Sequence, residues 1–341
     1  MHVNIVFSDN GVGLSRDARI IKDALGRSGL RVTLTPIDGF HFNIGLKQLA
    51  RVLRVRLIAG YHWLRYKRRP FDLTLFLEHI EPVYCRLGHT IGFMPNPEWA
   101  NEIDVSHLHL IDHILAKVRD TQRIFETQGC RVTYTGFTSV DRKLPISDAQ
   151  RQRSFFHLAG KSRQKGTATL IELWQRHPEW PLLTIVQDPK LKSRMPDTHA
   201  TPNICHIGKT LDDEELKVLQ NTHLFHLCAS EAEGFGHYIV EALSCGAVTV
   251  TTNAPPMNEL VSTERGILVD HARTQAQHLG MNYYVSPEAL EAAVNQLLGM
   301  STQGTEALSI KARAWFEDND RQFQQNIVSA VRQLLTKPAS P

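Results

Sequence analysis

Cysteine is scarce and shows no pattern. Five residues, Cys85, Cys130, Cys205, Cys228 and Cys245, are spread over 341 positions, odd in number and with no C-x-x-C pair. That argues against a disulfide framework and is best explained by reduced thiols in a cytosolic protein. Long apolar runs are also missing. No stretch approaches the roughly 18 residues a membrane-crossing helix needs. No secretory leader is legible, because Met-His-Val-Asn-Ile-Val-Phe at the N-terminus goes straight into a strand pattern. The expectation is therefore a cytoplasmic protein. Internal repeats and low-complexity tracts are absent too. Histidine is abundant, 17 residues, yet there is no H-E-x-x-H and no Cys/His ligand set. His107, His109 and His113 lie close together beside Asp112, and a helix there would put His109 and His113 on one face. No metal site is expected.

What is present is the composition of a soluble globular chain, 42% hydrophobic and 21% charged, long enough for two domains of ordinary size. Strand and helix patterns alternate throughout. In the first half, strands are read at 3–7, 31–36, 72–77, 90–94, 112–116 and 131–134. In the second they are read at 155–159, 182–187, 204–207, 224–227, 247–251 and 267–269. The polar stretch 141–153 reads as the hinge, and a long last helix is expected over about 308–335. This is an α/β layout of two doubly wound parallel-sheet halves.

The segment from Leu224 to Thr252 carries the most chemistry. An apolar strand leads into Ser230-Glu-Ala-Glu-Gly-Phe-Gly236, a helix over 237–245 ends at Gly246, and a second strand follows. Such a βαβ unit presents its loop at the carboxyl edge of the sheet, where doubly wound folds bind ligands. Free N–H groups at the helix start suit a phosphate, and Glu233 and Glu241 suit the hydroxyls of sugars. A nucleotide sugar carries both.

Glu233-Gly-Phe-Gly-His-Tyr-Ile-Val-Glu241-Ala-Leu-Ser-Cys-Gly246 resembles the E-x7-E donor signature of retaining GT-B glycosyltransferases, the "glycosyl transferases group 1". The resemblance implies two Rossmann-like domains facing across a cleft. These would be an acceptor-side domain over 1–145, a nucleotide-sugar domain over 154–310, and a final helix, 311–341, crossing back to the first domain. It implies that Glu233 meets the donor sugar, that Glu241 holds the ribose, and that the backbone of Gly234, Phe235, Gly236 and His237 approaches sugar and diphosphate. Phe155-Phe-His-Leu-Ala-Gly160-Lys161-Ser-Arg163-Gln-Lys165-Gly166 matches the place where the family sets two cations on the diphosphate. Lys161 and Lys165 fit, but the first position is usually arginine and the spacing here is short, so Arg163 competes with Lys161 for the role. Asn253-Ala-Pro-Pro-Met-Asn-Glu259 matches a third element, with Glu259 at the family's glutamate. Ala254, Pro255 and Pro256 replace the usual glycines, and proline has no N–H to offer a phosphate. The implied activity is transfer of a sugar from a UDP- or GDP-linked donor to an acceptor hydroxyl, with retention and without a metal or other cofactor, in surface polysaccharide, lipopolysaccharide or other glycoconjugate assembly.

The first half matches that family mainly by layout. Gly11-Val-Gly13 after the first strand suggests a pyrophosphate turn, but Arg16 stands where G-x-G-x-x-G needs its third glycine. A nicotinamide site is therefore not expected; donor phosphate or acceptor contact is. His79, within Glu78-His-Ile-Glu81, is expected to face the sugar, and Glu78, Asn96 and Glu98 to lie on the acceptor side. Residues 1–150 hold 20 Lys and Arg against 15 Asp and Glu. Between Gly45 and Pro70 stand eight basic residues and no acid, interleaved with Tyr61, Trp63 and Tyr66. The stretch Lys47–Arg69 suits an anionic membrane surface at the inner face or a nucleic-acid backbone, or is simply a solvated helix flank. Two other activities fit parts of the pattern: a sugar-nucleotide epimerase of the same shape, and a nucleic-acid-binding or base-glycosylating protein.

Overall fold

The computed structural model describes residues 1–9, 11, 13–37, 46–145 and 151–336, with the side chains of 46–48 outside that description. The expectations that touch Val12, the Lys47 side chain and residues 146–150 lie outside the described residues. The chain divides into two compact units. One comprises Met1–Phe137, His278–Gly280 and Arg321–Pro341, the other Thr138–Gln277 and Met281–Asp320. The division falls at Phe137–Thr138 because the start of the expected hinge is tied down. Arg142, 5% exposed, donates to Gln220 Oε1 (2.7 Å), Asp213 Oδ1 (2.6 Å) and the Asp213 carbonyl (3.0 Å).

The first unit is built on six parallel strands, β1 (His2–Ser8), β2 (Arg31–Ile37), β3 (Phe71–Leu77), β4 (Gly88–Met94), β5 (His113–Ala116) and β6 (Val132–Tyr134), in the order β2-β1-β3-β4-β5-β6. The second repeats the plan with β7 (Gln152–Gly160), β8 (Leu183–Gln187), β9 (Ile204–Ile207), β10 (His223–Cys228), β11 (Val248–Thr252) and β12 (Gly266–Val269), in the order β12-β11-β10-β7-β8-β9. Helices cover the faces, so the strands are apolar almost end to end. Phe155 and Phe225 stand in register on β7 and β10, both fully buried, and Trp174 of helix Thr167–Arg176 packs edge-on to Phe155 at 5.0 Å. The α/β, doubly wound expectation holds, with all twelve anticipated strands in the two sheets.

Sheet order locates the ligand edges. In the first sheet the order reverses between β1 and β3, in the second between β7 and β10. Doubly wound sheets open a crevice at the carboxyl ends of the two strands flanking such a reversal.

Two local expectations need correction, and one element was missed. His109 lies in a short 3-10 turn, Leu108–Leu110, and His113 opens β5, so they share no helix face. His109 Nδ1 bonds the Ser106 carbonyl and His113 Nε2 the Thr133 hydroxyl. The last helix is longer than expected, Thr302–Thr336. A two-stranded hairpin, β13 (His271–Gln277) and β14 (Gly280–Val285), was not anticipated, because its alternation is mostly polar.

Four histidines on strands of the second sheet, His157, His206, His223 and His226, are held below their ordinary pKa by burial and make the fold sensitive to acid. Burial pushes His157 down to about 4 and His226 down to about 3. An unfolded histidine titrates near 6.5, so below that pH the unfolded chain binds protons the folded one refuses. Stability is thus fully present above about pH 6.5 and declines as the pH falls towards 4. Urea midpoints at pH 7.5, 6 and 5 should fall in that order; a flat series would contradict the assignment.

Candidate active site

In the second unit, the loops leaving β7 and β10 meet. Gly160 ends β7 at φ +55° and Gly166, at φ +64°, caps helix Thr167–Arg176. Both conformations are ones that glycine adopts without a Cβ penalty. The Glu231 N–H donates to the Gln164 carbonyl (3.0 Å), which joins the two loops. Below them, neutral His157 donates from Nδ1 to the Leu227 carbonyl (2.7 Å) and accepts at Nε2 from Thr167 Oγ1 (2.9 Å).

The joined loops bring Lys165 onto Glu233. The ammonium contacts Glu233 Oε1, and both side chains are nearly buried, 13% and 12% exposed. The same oxygen accepts from Ser230 Oγ, which lies 2.5 Å from the Tyr238 hydroxyl. A carboxylate only accepts, so the protons run Tyr238 to Ser230 to Glu233. Burial holds the Tyr238 phenol well above its ordinary range, so it stays a neutral donor. Its ring lies 3.8 Å from the Lys165 ammonium. Oε2 of Glu233 is engaged by no described residue. Lys161 and Arg163 are exposed on the same loop.

Helix His237–Ser244 starts beside this pair from Gly236, whose φ of +105° strains any residue with a Cβ, and a Cβ there would also press on Leu260 Cδ1 at 3.0 Å. Gly234 is buried. Phe235 is buried too, edge-on to the His237 ring at 5.4 Å. Glu241 belongs to a different cluster. It is 2% exposed, takes Gln220 Nε2 at 3.0 Å and lies 3.3 Å from Ser139 Oγ, which also bonds His237 Nδ1 at 3.0 Å. Glu259, half-buried, sits on the short helix Met257–Leu260 after Pro255–Pro256, and its carbonyl takes Arg265 Nη2 at 3.4 Å. Ser139, Arg142, Gln220, Ser230, Tyr238 and His157 were not singled out from the sequence. Only His157, a lone polar residue inside an apolar strand, leaves a signal there.

In the first unit the corresponding edge carries a second polar cluster. Gly11, at φ +66°, turns its N–H to Ser15 Oγ (3.0 Å) and Asp9 Oδ1 (3.2 Å), and Gly13 opens helix Gly13–Arg27. After β3, Glu78 accepts from Asn96 Nδ2 at 2.9 Å, and His79 Nδ1 bonds Asp104 at 2.8 Å. Lys117, after β5, is 2% exposed and donates to Asp17 (2.6 Å) and Asn96 (2.8 Å). Burial pushes the Glu78 carboxyl above its usual range against the Asn96 bond. Burial by itself would lower His79, but the Asp104 bond, the Asp104 charge, Glu78 and Glu81 carry it above its ordinary value. Glu98 is 6% exposed. Asp17, Asp104 and Lys117 were missed, each an ordinary charge in an ordinary element of the sequence.

Two parallel six-stranded units, each with its polar side chains gathered at the reversal of strand order, define the GT-B fold of glycosyltransferases. A glycosyltransferase of Rickettsia africae aligns over 99% of both chains with a TM-score of 0.72 at 14% identity. Sucrose-phosphate synthase of Thermosynechococcus elongatus covers 98% of this chain and 99% of its own, with a TM-score of 0.72 at 15% identity. Anabaena HepE, solved with UDP-glucose, covers 98% and 100%, with a TM-score of 0.71 at 17% identity. Residues 146–315 match the model of the family described as "Glycosyl transferases group 1". Through that half the chain belongs to the group 1 glycosyl transferases. It is also similar to GDP-mannose:cellobiosyl-diphosphopolyprenol alpha-mannosyltransferase of Xanthomonas campestris, 25% identical over 134 residues. That alignment spans 36% of this chain and 35% of the relative.

Proposed function

We propose that the protein moves a sugar from a UDP- or GDP-linked donor to an acceptor hydroxyl with retention of configuration, using no metal, in polysaccharide or other glycoconjugate assembly. The observation that carries this reading is the nearly buried Lys165–Glu233 pair at the reversal point of the second sheet. Lys165, with Lys161 or Arg163 and the N–H groups opening helix His237–Ser244, takes the charge of the diphosphate. Glu233 offers Oε2 to a hydroxyl of the donor sugar. Glu241, with Ser139 and Gln220, serves the ribose, and Glu259 closes the nucleotide side. The bond from C1 to the diphosphate breaks and its electron pair stays on the phosphate oxygen. The acceptor oxygen bonds C1 from the same face, and its proton passes to that phosphate oxygen. Protein groups then supply positioning and charge stabilisation.

HepE was solved with UDP-glucose and the Xanthomonas relative's name specifies GDP-mannose, so these two donors are the first to test. A ligand at about a hundred times its Kd stabilises the folded state by about 2.7 kcal/mol. A thermal-shift series with UDP, GDP and their sugar conjugates should show one nucleotide raising the midpoint selectively. No shift with any of them would remove the donor site.

A second observation bears on the acceptor. Helix Leu46–Tyr66 packs inward through Val55, while Leu49, Leu53, Leu57, Tyr61 and Leu64 form an outward stripe, each 50–73% exposed. Arg54, Arg56 and Arg65 are exposed on the same helix. An apolar stripe among cations with no acid suits an anionic lipid surface better than a nucleic acid, which would not need the leucines. No helix among the described residues is long and apolar enough to cross a membrane. The acceptor is accordingly a hydroxyl on a lipid-linked glycan, in line with the diphosphopolyprenol in the Xanthomonas relative's name. The protein should sediment with phosphatidylglycerol-containing vesicles, less so at high salt, and Leu57→Asp with Leu64→Asp should weaken binding about tenfold or more. Equal binding to purely zwitterionic vesicles, or none to either, would rule the surface out.

A further inference from the structure

The first unit holds a buried ion pair that the donor site does not use. Lys117 and Asp17 are 2% and 4% exposed at their side chains, 100 positions apart in sequence and 2.6 Å apart in space. Taking both charges out of water is unfavourable, and apolar residues of similar size would pack there at no such penalty. The pair therefore calls for a reason other than stability.

Its connections supply one. Lys117 also donates to Asn96 Oδ1 at 2.8 Å, and a cation on that oxygen fixes which way the amide lies. Asn96 Nδ2 is thereby aimed at Glu78 Oε1, 2.9 Å away. Glu78 itself has φ +68°, a left-handed backbone that residues with a Cβ seldom adopt. It is held there by its own N–H on the Met94 carbonyl (3.1 Å) and by the His79 N–H on the Leu77 carbonyl (2.9 Å). Strain of this kind persists where the surroundings fix a functional side chain. Glu78 Oε2 then lies 3.7 Å from His79 Nε2, and His79 is braced from its other side by Asp104.

We propose that Lys117 is a positioning residue of the sugar-transfer reaction. Through Asn96 it holds the Glu78 carboxylate, beside His79, as the hydrogen-bond acceptor for the hydroxyl that receives the sugar. This rests on the transferase reading above. The charged groups facing Glu78 are Lys117 from the end of β5, Asp17 from helix Gly13–Arg27 and His79 beside it, while Asp104 and Glu81 face His79. The Lys117 charge favours the ionised carboxylate, so its removal raises the pH at which Glu78 takes a proton.

The experiment compares wild type, Lys117→Met and Asn96→Leu, the last breaking the relay while keeping the ion pair in case Lys117→Met does not fold. The Glu78 carboxyl is followed by carbon NMR, assigned with Glu78→Gln, and transfer from UDP-glucose and GDP-mannose is measured against pH. In Lys117→Met the Glu78 midpoint should rise by about half a unit or more. The acid limb of transfer should move with it, and kcat should fall about tenfold or more while donor KM stays within about twofold. Asn96→Leu should give the same loss of kcat. An unchanged Glu78 midpoint and acid limb, with only a lower Tm, would make the pair structural and overturn the proposal. If wild type transfers sugar from neither donor and no UDP- or GDP-linked sugar raises its melting midpoint, the transferase reading fails, and the Glu78 titration alone decides whether Lys117 governs that carboxylate.

Discussion

Lys165→Ala is expected to lower turnover of the nucleotide sugar by about two to three orders of magnitude, the loss typical of removing one preorganised group that stabilises transition-state charge. The expectation follows from how the ammonium is fixed. It is nearly buried, set on Glu233 and over the Tyr238 ring, so in the proposed site it is held in place before substrate arrives. Alanine removes the cation and leaves Glu233 with Ser230 as its remaining partner, adding an uncompensated carboxylate where the proposed function places an anionic diphosphate. Glu233→Ala is expected to lose a similar amount for the opposite reason, because in the proposed arrangement the donor sugar loses its hydrogen-bond acceptor while the cation stays. Both variants should fold, since each truncates a loop side chain that lies outside the apolar core of the second unit. Steady-state kinetics beside circular dichroism decide the matter. Near-wild-type turnover in both folded variants would take the pair out of the reaction.

Gly166→Ala is expected to be the most damaging small change to the site, costing about 2–3 kcal/mol of stability. Two penalties coincide there. The residue has φ +64°, and an added Cβ would lie 2.5 Å from the Ala229 carbonyl oxygen and 3.1 Å from its Cβ. The first contact is with backbone and cannot be relieved by a rotamer change. The loops after β7 and β10 must separate, and they are the two loops that bring Lys165 to Glu233. Gly160→Ala, with φ +55° and nothing near its would-be Cβ, isolates the backbone component alone. Denaturant midpoints should therefore fall further for Gly166→Ala than for Gly160→Ala. Equal losses would mean that the close approach to Ala229 has no energetic weight.

Much of this molecule was legible in its residues because parallel strands covered on both faces must be apolar along their whole length. Phe155–Ala159 and Leu224–Leu227 announce themselves in that way, and the glycines at 160, 166, 236 and 246 mark where the chain turns at positive φ. The GT-B family resemblance was legible for the same reason: the donor motif is local, its two glutamates eight positions apart. What failed to show was everything assembled from distant parts. Lys117 finds Asp17 across 100 positions, and Arg142 finds Gln220 across 78. Neither has a spacing that a window along the chain detects. The hairpin His271–Val285 escaped because its strands lie largely outside the core, where no hydrophobic period is required. The His109–His113 reading failed because i, i+4 spacing has meaning only on a helix, and there the chain forms a turn and then a strand.

The last helix bears on the order in which the protein is made. From Arg321 onward it belongs to the first unit, where Phe323 packs on Phe137 at 4.9 Å and Arg332 bonds the Ser28 carbonyl at 3.0 Å. Phe323, Ile327 and Val331 are almost wholly buried. Of the two units, the one whose sheet is translated first is thus completed only after the other, because its missing wall follows the second unit along the chain. Until then it exposes the apolar surface that those residues cover, and that surface is a liability for a nascent chain. A fragment ending near residue 137 reproduces that unfinished state, whereas one that carries 321–336 in trans supplies the wall.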